Sequence, residues 1–96
     1  PLSNFPYLSF DLAFVINKEI SVDTLRNVIL ENGDDLIEKL NCFDVFEGDS
    51  LGENNKSVAF ALRVRSKDST LSDEDQQNVR SKIISAVEKE LGGKLR

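Results

Sequence analysis

The feature that most constrains the fold is a strict alternation of apolar and polar residues in KSVAFALRVRS, residues 56–66. Alternation with a period of two is typical of a β-strand that has one face in the core. The apolar face carries Val58, Phe60, Leu62 and Val64. The opposite face carries Ser57, Ala59, Ala61, Arg63 and Arg65. A sheet that contains this strand therefore has one covered side and one small-and-basic side that meets solvent or a ligand.

Other segments show the periodicities of three more strands and two helices. The patterns predict strands over residues 8–16, about 40–46 and 92–96, and helices over 21–33 and 71–91. Ser21 and Ser72 are the expected N-caps. Asn32-Gly33 is expected to end the first helix, because glycine accepts the left-handed conformation at no steric cost. The acidic residues 73–75 are interpreted as charges that favour a helix N-terminus rather than as a metal site.

The order of these elements is β-α-β-β-α-β, the split βαβ arrangement of ferredoxin-like folds. We therefore predict one α+β domain over residues 1–96, with a four-stranded antiparallel sheet and both helices on one face. Two helices cover only one side of such a sheet. The other face is expected to stay open.

The second strand places a carboxylate on that open face. In NCFDVF, residues 41–46, Phe43 and Val45 are expected to face the helices, so that Asp44 and Phe46 point to the open side. There they join Ala13, Ser57 and Ala59, which are too small to fill the space above the sheet. The alternation fails upstream of Cys42, where it would turn Lys39 and Asn41 inward, and a β-bulge is expected there.

Composition excludes several function classes. The chain has 96 residues, one cysteine and no histidine, which argues against catalysis by this segment and against a multi-cysteine zinc site. Its net charge of -5 argues against indiscriminate nucleic-acid binding, although residues 56–67 are locally basic. No apolar run approaches the ~20 residues that a membrane span requires. The opening PLSN, without methionine or a signal peptide, indicates a piece of a longer protein.

Several short segments carry a family resemblance. They are FP at residues 5–6, DLAFVI at 11–16, FDVF at 43–46, KSVAFALRVRS at 56–66, TLSDED at 70–75 and KELGGKLR at 89–96. In this order and spacing, they resemble the C-terminal ferredoxin-fold anticodon-binding domain of the bacterial phenylalanyl-tRNA synthetase β subunit. The resemblance covers nearly the whole chain.

The resemblance implies a non-catalytic RNA-binding module in a cytoplasmic ligase that attaches phenylalanine to its tRNA. ATP and magnesium would act in the parent enzyme, and no cofactor or metal is expected here. The implied partners are the tRNA-Phe anticodon stem-loop, an α subunit and a second β subunit in an α2β2 heterotetramer, with no membrane. Phe46 falls where the family stacks the first anticodon base, a guanine. Asp44 and Ser57 fall at its hydrogen-bonding positions, and Ala13 falls where a small residue leaves room for the base.

Two positions depart from the family pattern, which usually has tyrosine in place of Phe46 and arginine in place of Phe10. The lost arginine suggests weaker attraction for the RNA backbone, for which Arg63 and Arg65, with Lys56, are possible phosphate contacts. Without the resemblance, Asp44 and Phe46 would read as a solvated aspartate and a hairpin packing residue. The competing function is a ferredoxin-like regulatory or protein-interaction module, because fold alone does not decide function.

Overall fold

The predicted order of strands and helices is the observed one. A computed structural model describes residues 5–96, so the first four residues of the predicted domain lie outside the described range. The elements are β1 (Leu8–Asn17), α1 (Val22–Glu31), β2 (Ile37–Phe46), β3 (Asn55–Val64), α2 (Asp73–Leu91) and β4 (Lys94–Leu95). A single 3-10 turn, Asp49–Leu51, lies between β2 and β3.

All neighbouring strands are antiparallel, in the order β2-β3-β1-β4. One hydrophobic cluster joins the alternate residues of β1 and β3 to one side of each helix. Its members are Leu12, Phe14, Ile16, Leu25, Val28, Ile29, Val58, Phe60, Leu62, Val79, Ile83 and Val87. The predicted ferredoxin-like α+β fold, with two helices on one face of the sheet, is therefore confirmed.

Local capping explains where the helices begin. The Ser21 hydroxyl accepts a hydrogen bond from the Thr24 amide at 3.0 Å, which caps α1 as predicted. At α2, the Ser72 hydroxyl accepts from the Asp75 amide, and the Asp75 carboxylate accepts from the Ser72 amide at 2.9 Å. This reciprocal capping box lowers the pKa of Asp75, because the hydrogen bond from the Ser72 backbone stabilises the charged carboxylate.

The predicted end of the first helix is correct in place but wrong in mechanism. Asn32 ends α1, and the left-handed backbone angles fall on Asp34 and Asp35 rather than on Gly33. A Cβ on Gly33 would lie 2.7 Å from the Cγ1 atom of Ile37, so glycine is required here for close packing. The left-handed glycine stop belongs to α2, which ends at Gly92 with φ 65°.

Strand β2 is longer and less regular than predicted. It starts at Ile37, and its register against β3 shifts between Ile37 and Lys39 and again between Cys42 and Asp44. The second shift makes Phe43 the extra residue of a bulge, so the expectation that Phe43 faces the helices is wrong, and 58% of the residue is exposed. Val45 lies opposite the buried Val58, yet it is also exposed on this edge strand.

Candidate nucleic-acid interface

The side chains of the open face are arranged in rungs across the sheet. Residues opposite one another on neighbouring strands share a face, so the pairing defines each rung. One rung runs from Ala13 through Ala59 to Asp44. The next rung runs from Val15 through Ser57 to Phe46. The four residues predicted to contact a base are therefore brought together on two adjacent rungs.

Phe46 provides the aromatic surface of this face. It ends β2 and is 42% exposed. The loop that follows packs closely against the ring, because a Cβ on Gly48 would lie 2.7 Å from the Phe46 Cζ atom and 2.9 Å from Cε2. A glycine at this position therefore lets the ring keep its present place.

Ser57 is buried, with only 2% of its surface exposed, although it lies on the open face. The reason is its place on the inner strand β3, between Val15 and Phe46. Arg96 also reaches it, and the Arg96 Nη1 atom lies 3.3 Å from the Ser57 Oγ atom, which accepts the hydrogen bond. The hydroxyl that the sequence predicted to contact a base thus already accepts one hydrogen bond within the domain.

Arg96 was missed by the sequence reasoning. Its backbone amide donates to the Ala13 carbonyl at 2.8 Å, which extends the pairing of β4 with β1 by one residue. Its guanidinium carbon lies 5.5 Å from the centre of the Phe46 ring, within the range of a cation-π contact. The sequence did contain a signal for Arg96. Alternation with a period of two along the predicted fourth strand places residue 96 on the same side of the sheet as Lys94.

Asp44 contrasts with Ser57, because it is exposed and its carboxylate is unpaired. Among residues 5–96, nothing forms a hydrogen bond or an ion pair with the Asp44 side chain. Its neighbour across the rung is the small Ala59, and Ala13 follows on β1. A flat polar group that stacks on Phe46 would find this carboxylate at its edge, as an acceptor only.

The three predicted phosphate contacts lie in two different places. Lys56 pairs with the buried Ile16 and therefore lies on the opposite side of β3 from Ser57. Arg63 and Arg65 lie at the far end of the sheet. Both contact Glu38 and Tyr7 there. We call these four side chains the arginine cluster: Tyr7, Glu38, Arg63 and Arg65.

Within the arginine cluster, both cations are engaged. The Glu38 carboxylate lies 3.6 Å from Arg63 Nη1 and 2.9 Å from Arg65 Nε. Both guanidinium groups also lie over the Tyr7 ring, at 4.2 Å and 5.2 Å from its centre. An incoming phosphate would have to compete with Glu38 for these two cations.

Comparison with known proteins places this geometry in a family. The family model of the ferredoxin-fold anticodon binding domain matches residues 3–96. The chain belongs to this family. The resemblance predicted from the sequence segments is therefore confirmed, and the open face is a surface of an anticodon-binding domain.

The proteins to which this anticodon-binding domain is similar are much longer than the domain itself. It is 36% identical to the phenylalanine–tRNA ligase beta subunit of Cutibacterium acnes, over 99% of this chain and 11% of that protein. It is also 36% identical to that of Geobacillus kaustophilus, over 100% of this chain and 12% of that protein. The domain thus spans about an eighth or less of the length of these relatives.

Between residues 5 and 96, no group of three or more histidine, cysteine, aspartate or glutamate side chains is placed to hold a metal ion. Neither described helix is long and apolar enough to cross a membrane.

Proposed function

We propose that this domain binds the anticodon loop of tRNA-Phe on the open face of its sheet. The observation that carries the proposal is the exposed Phe46 ring with the unpaired Asp44 carboxylate on the adjacent rung. Proteins commonly read unstacked loop bases by aromatic stacking and by hydrogen bonds to base edges. Ala13 and Ala59 leave room for a base between these two side chains.

In the proposed mode of recognition, the two rungs have different roles. Phe46 stacks the first anticodon base and supplies affinity, while Asp44 accepts hydrogen bonds from the N1 and N2 donors of guanine and supplies specificity. Adenine, cytosine and uracil each have a single donor group on the corresponding edge, so none of them offers two adjacent donor groups to one carboxylate. The open-face alanines contribute by being small.

Arg96 has to move for this mode of binding. Its guanidinium lies over the Phe46 ring and donates to Ser57, so a stacking base displaces it from both partners. The displaced cation remains beside the bound nucleotide and is free to contact its phosphate, while the Ser57 hydroxyl becomes available to the base. Arg96 thereby exchanges an internal contact for one with RNA.

The names of the relatives support a role for this domain within a larger enzyme. We propose that the domain is part of a phenylalanine–tRNA ligase β subunit that uses ATP and magnesium for aminoacylation in the cytoplasm. Its partners there are an α subunit and a second β subunit. In this assembly, the domain positions tRNA and takes no part in the chemical steps.

The test is an NMR titration of the isotope-labelled domain with a tRNA-Phe anticodon stem-loop. A second stem-loop, in which another base replaces the first anticodon guanine, serves as the RNA control. We expect guanine-dependent shifts at Ala13, Asp44, Phe46 and Ser57. Base stacking contributes ~1–3 kcal/mol per base, so Phe46→Ala is expected to weaken binding by about tenfold or more.

Asp44→Ala gives a different signature from Phe46→Ala. We expect a reduced preference for guanine over other bases, rather than a uniform loss of affinity. Asp68→Ala, in the exposed loop between β3 and α2, is the matched control. The proposal fails if Phe46→Ala binds as tightly as the native domain and the two stem-loops shift the same resonances equally.

A further inference from the structure

We infer that the outer edge of β1, over residues 8–12, is a docking site for an extended segment of a partner polypeptide in which apolar and basic residues alternate. The segment pairs with β1 as an added strand and continues the sheet beyond the point where β4 ends. The site is made by the backbone edge of the sheet, and the inference does not depend on the proposed binding of RNA.

The edge strand β4 is much shorter than the strand beside it. β1 has ten residues and pairs with β3 along its whole length. β4 has two residues, which pair with Phe14 and Val15 of β1. Within the part of the chain that the structure describes, no strand pairs with residues 8–12 on this side. The first half of β1 is therefore an open edge of the sheet.

A hydrogen bond at Ala13 shows which backbone groups of β1 point outward. The Arg96 amide donates to the Ala13 carbonyl at 2.8 Å, so the backbone groups of Ala13 face β4. In an antiparallel sheet, alternate residues face the same neighbouring strand, and the register of β1 against β3 is unbroken. The amides and carbonyls of Ser9 and Asp11 therefore also point outward. Among residues 5–96, these four groups have no partner.

The opposite edge of the sheet is protected in a way that this edge is not. Edge strands commonly avoid pairing with other chains through β-bulges and charged side chains. β2 has two register shifts and carries the charged residues Glu38 and Lys39 near its start. β1 has no register shift, and Asp11 is its only charged residue. A regular open edge of this kind is a template for an added peptide strand.

Helix α2 provides a cover for the added strand. It has 19 residues and ends next to β4. At about 1.5 Å per residue it is roughly 28 Å long, whereas the two residues of β4 span only about 7 Å. Phe10 lies opposite the buried Leu62, so its side chain faces the helices, yet it is only partly buried. An apolar residue placed opposite Phe10 points to the same side and completes its burial.

The other side of the edge selects the charge of the partner. Residues placed opposite Ser9 and Asp11 direct their side chains to the open face, because paired residues share a face. The Asp11 side chain is exposed, and no described residue forms a hydrogen bond or an ion pair with it. Opposite charges on paired residues are favourable and like charges are unfavourable. A basic residue therefore fits opposite Asp11, and the net charge of -5 favours the same sign of partner.

A second copy of the domain fits this edge less well than a basic segment does. Pairing of two β1 edges would bring together two chains of net charge -5 and two Asp11 carboxylates. A second α2 would also compete for the space that the first α2 occupies above the edge. RNA lacks the regularly spaced N–H donors and C=O acceptors of a peptide strand. The occupant is thus a peptide strand from another polypeptide.

The test is amide hydrogen exchange, followed by NMR, of the 96-residue domain with a synthetic peptide. The peptide is Lys-Val-Lys-Val-Lys-Val, acetylated at one end and amidated at the other. In the free domain, we expect the amides of Ser9 and Asp11 to exchange rapidly and the amide of Phe10, which faces β3, to be protected. At a peptide concentration ten times the Kd, exchange at Ser9 and Asp11 is expected to slow about tenfold, because only the free state exchanges.

Two methylated peptides separate strand pairing from general charge attraction. N-methylation of the lysine amides removes the donors that face β1, and we expect it to abolish the protection. N-methylation of the valine amides is the matched control, because these amides point away from β1 in the bound strand. A peptide with glutamate in place of lysine is expected to bind more weakly than the parent peptide, since like charges then face Asp11.

Two variants of the domain test the same contacts from the other side. Ser9→Pro removes one outward N–H and leaves the pairing with β3 intact, a substitution that edge strands tolerate. We expect it to weaken peptide binding by roughly two- to tenfold, the range of a single hydrogen bond. Asp11→Asn keeps the backbone and is expected to reduce the preference for the lysine peptide over the glutamate peptide. Asp68→Asn, in the exposed loop between β3 and α2, is the matched control.

Three results would overturn the inference. The first is unchanged exchange at Ser9 and Asp11 with saturating peptide, or equal protection by the two methylated peptides. The second is protection that rises with the concentration of the domain alone, which would assign the edge to a second copy. The third is the same protection with an anticodon stem-loop and no peptide, which would assign the edge to RNA.

Discussion

At the scale of single residues, the position of the Phe46 ring depends on Gly48. Phe46 ends β2, and the next turn of chain brings Gly48 against the ring edge. The Gly48 backbone has φ -171° and ψ 161°, an extended conformation that any residue adopts. Glycine at this position therefore matters for the space beside the ring rather than for backbone freedom, because a Cβ would make the ring shift.

We expect Gly48→Ala to weaken anticodon-loop binding, by less than Phe46→Ala, whose loss is about tenfold or more. The added methyl group would come within 2.7 Å of the Phe46 Cζ atom, so the ring must shift from its stacking position. Isothermal titration with the stem-loop measures the change. Ser50→Ala, in the same loop but outside the ring contact, is the control, and equal affinities for the two variants would contradict the role of Gly48.

At the scale of elements, the arginine cluster joins the start of β2 to the end of β3. Glu38 pairs with Arg63 and Arg65 at the sheet end, where their side chains are about a third exposed or less. Such partly exposed ion pairs contribute little to stability, with a median near 0–1 kcal/mol. Their larger effect is on what the two cations are free to bind.

Glu38→Gln is expected to strengthen RNA binding and to make it more sensitive to salt. The change removes one negative charge and the ion pairs of Arg63 and Arg65 with residue 38, so that a phosphate no longer competes with a carboxylate for them. Each phosphate gained on single-stranded RNA steepens the salt dependence by about 0.7 in log-log slope. Binding measured over a salt series tests this, with Glu90→Gln on α2 as the control. An unchanged slope would rule out Arg63 and Arg65 as phosphate contacts.

The capping box of α2 makes the stability of this element depend on pH. The pKa of Asp75 is lowered in the folded protein, so its carboxylate stabilises the fold above the ordinary carboxyl pKa. That contribution is lost as the pH falls through the lowered pKa. A lowered carboxyl pKa therefore predicts that the domain loses stability in acid and that Asp75 causes no loss toward alkaline pH.

Asp75→Ala is expected to be less stable than the native domain near neutral pH, with a difference that shrinks in acid. Urea unfolding at a series of pH values measures the gap between the two proteins. Asp68→Ala, in a loop without this capping interaction, should run parallel to the native protein. A gap that stays constant below the carboxyl pKa would show that the charge of Asp75 is not the stabilising factor.

At the scale of the whole molecule, an acidic domain carries three cations on or beside its open face. The net charge is -5, yet Lys39, Lys94 and Arg96 lie on or beside the open face. Three cations imply that the affinity for a single-stranded loop falls with salt at a log-log slope of about -2. This is a weak dependence, in keeping with recognition by stacking and base edges.

Arg96→Ala is expected to reduce this slope by about 0.7, one phosphate contact, and to lower the affinity at low salt. Lys89→Ala removes the same charge from α2, outside the open face, and should leave the slope unchanged. Fluorescence anisotropy with a labelled stem-loop over a salt series provides both quantities. If the Arg96 variant keeps the native slope, the displaced guanidinium does not reach a phosphate.

Much of the fold was predictable because it rests on local patterns. The alternation in β3 separated core from open face, the serines before both helices marked their first turns, and the order of elements led to the ferredoxin-like sheet. These features depend on residues close in sequence, whose side chains repeat with the period of the element that they form. The same alternation placed Ala13, Asp44, Phe46 and Ser57 on one face.

What the sequence by itself determined was which residues face the same side. What only the tertiary structure decided was which of them are available. The bulge at Phe43 sets the register of β2, Arg96 crosses from the far edge of the sheet to cover Ser57, and Glu38 engages both arginines. Each of these depends on contacts between chain segments far apart in sequence, and local periodicity carries no information about such contacts.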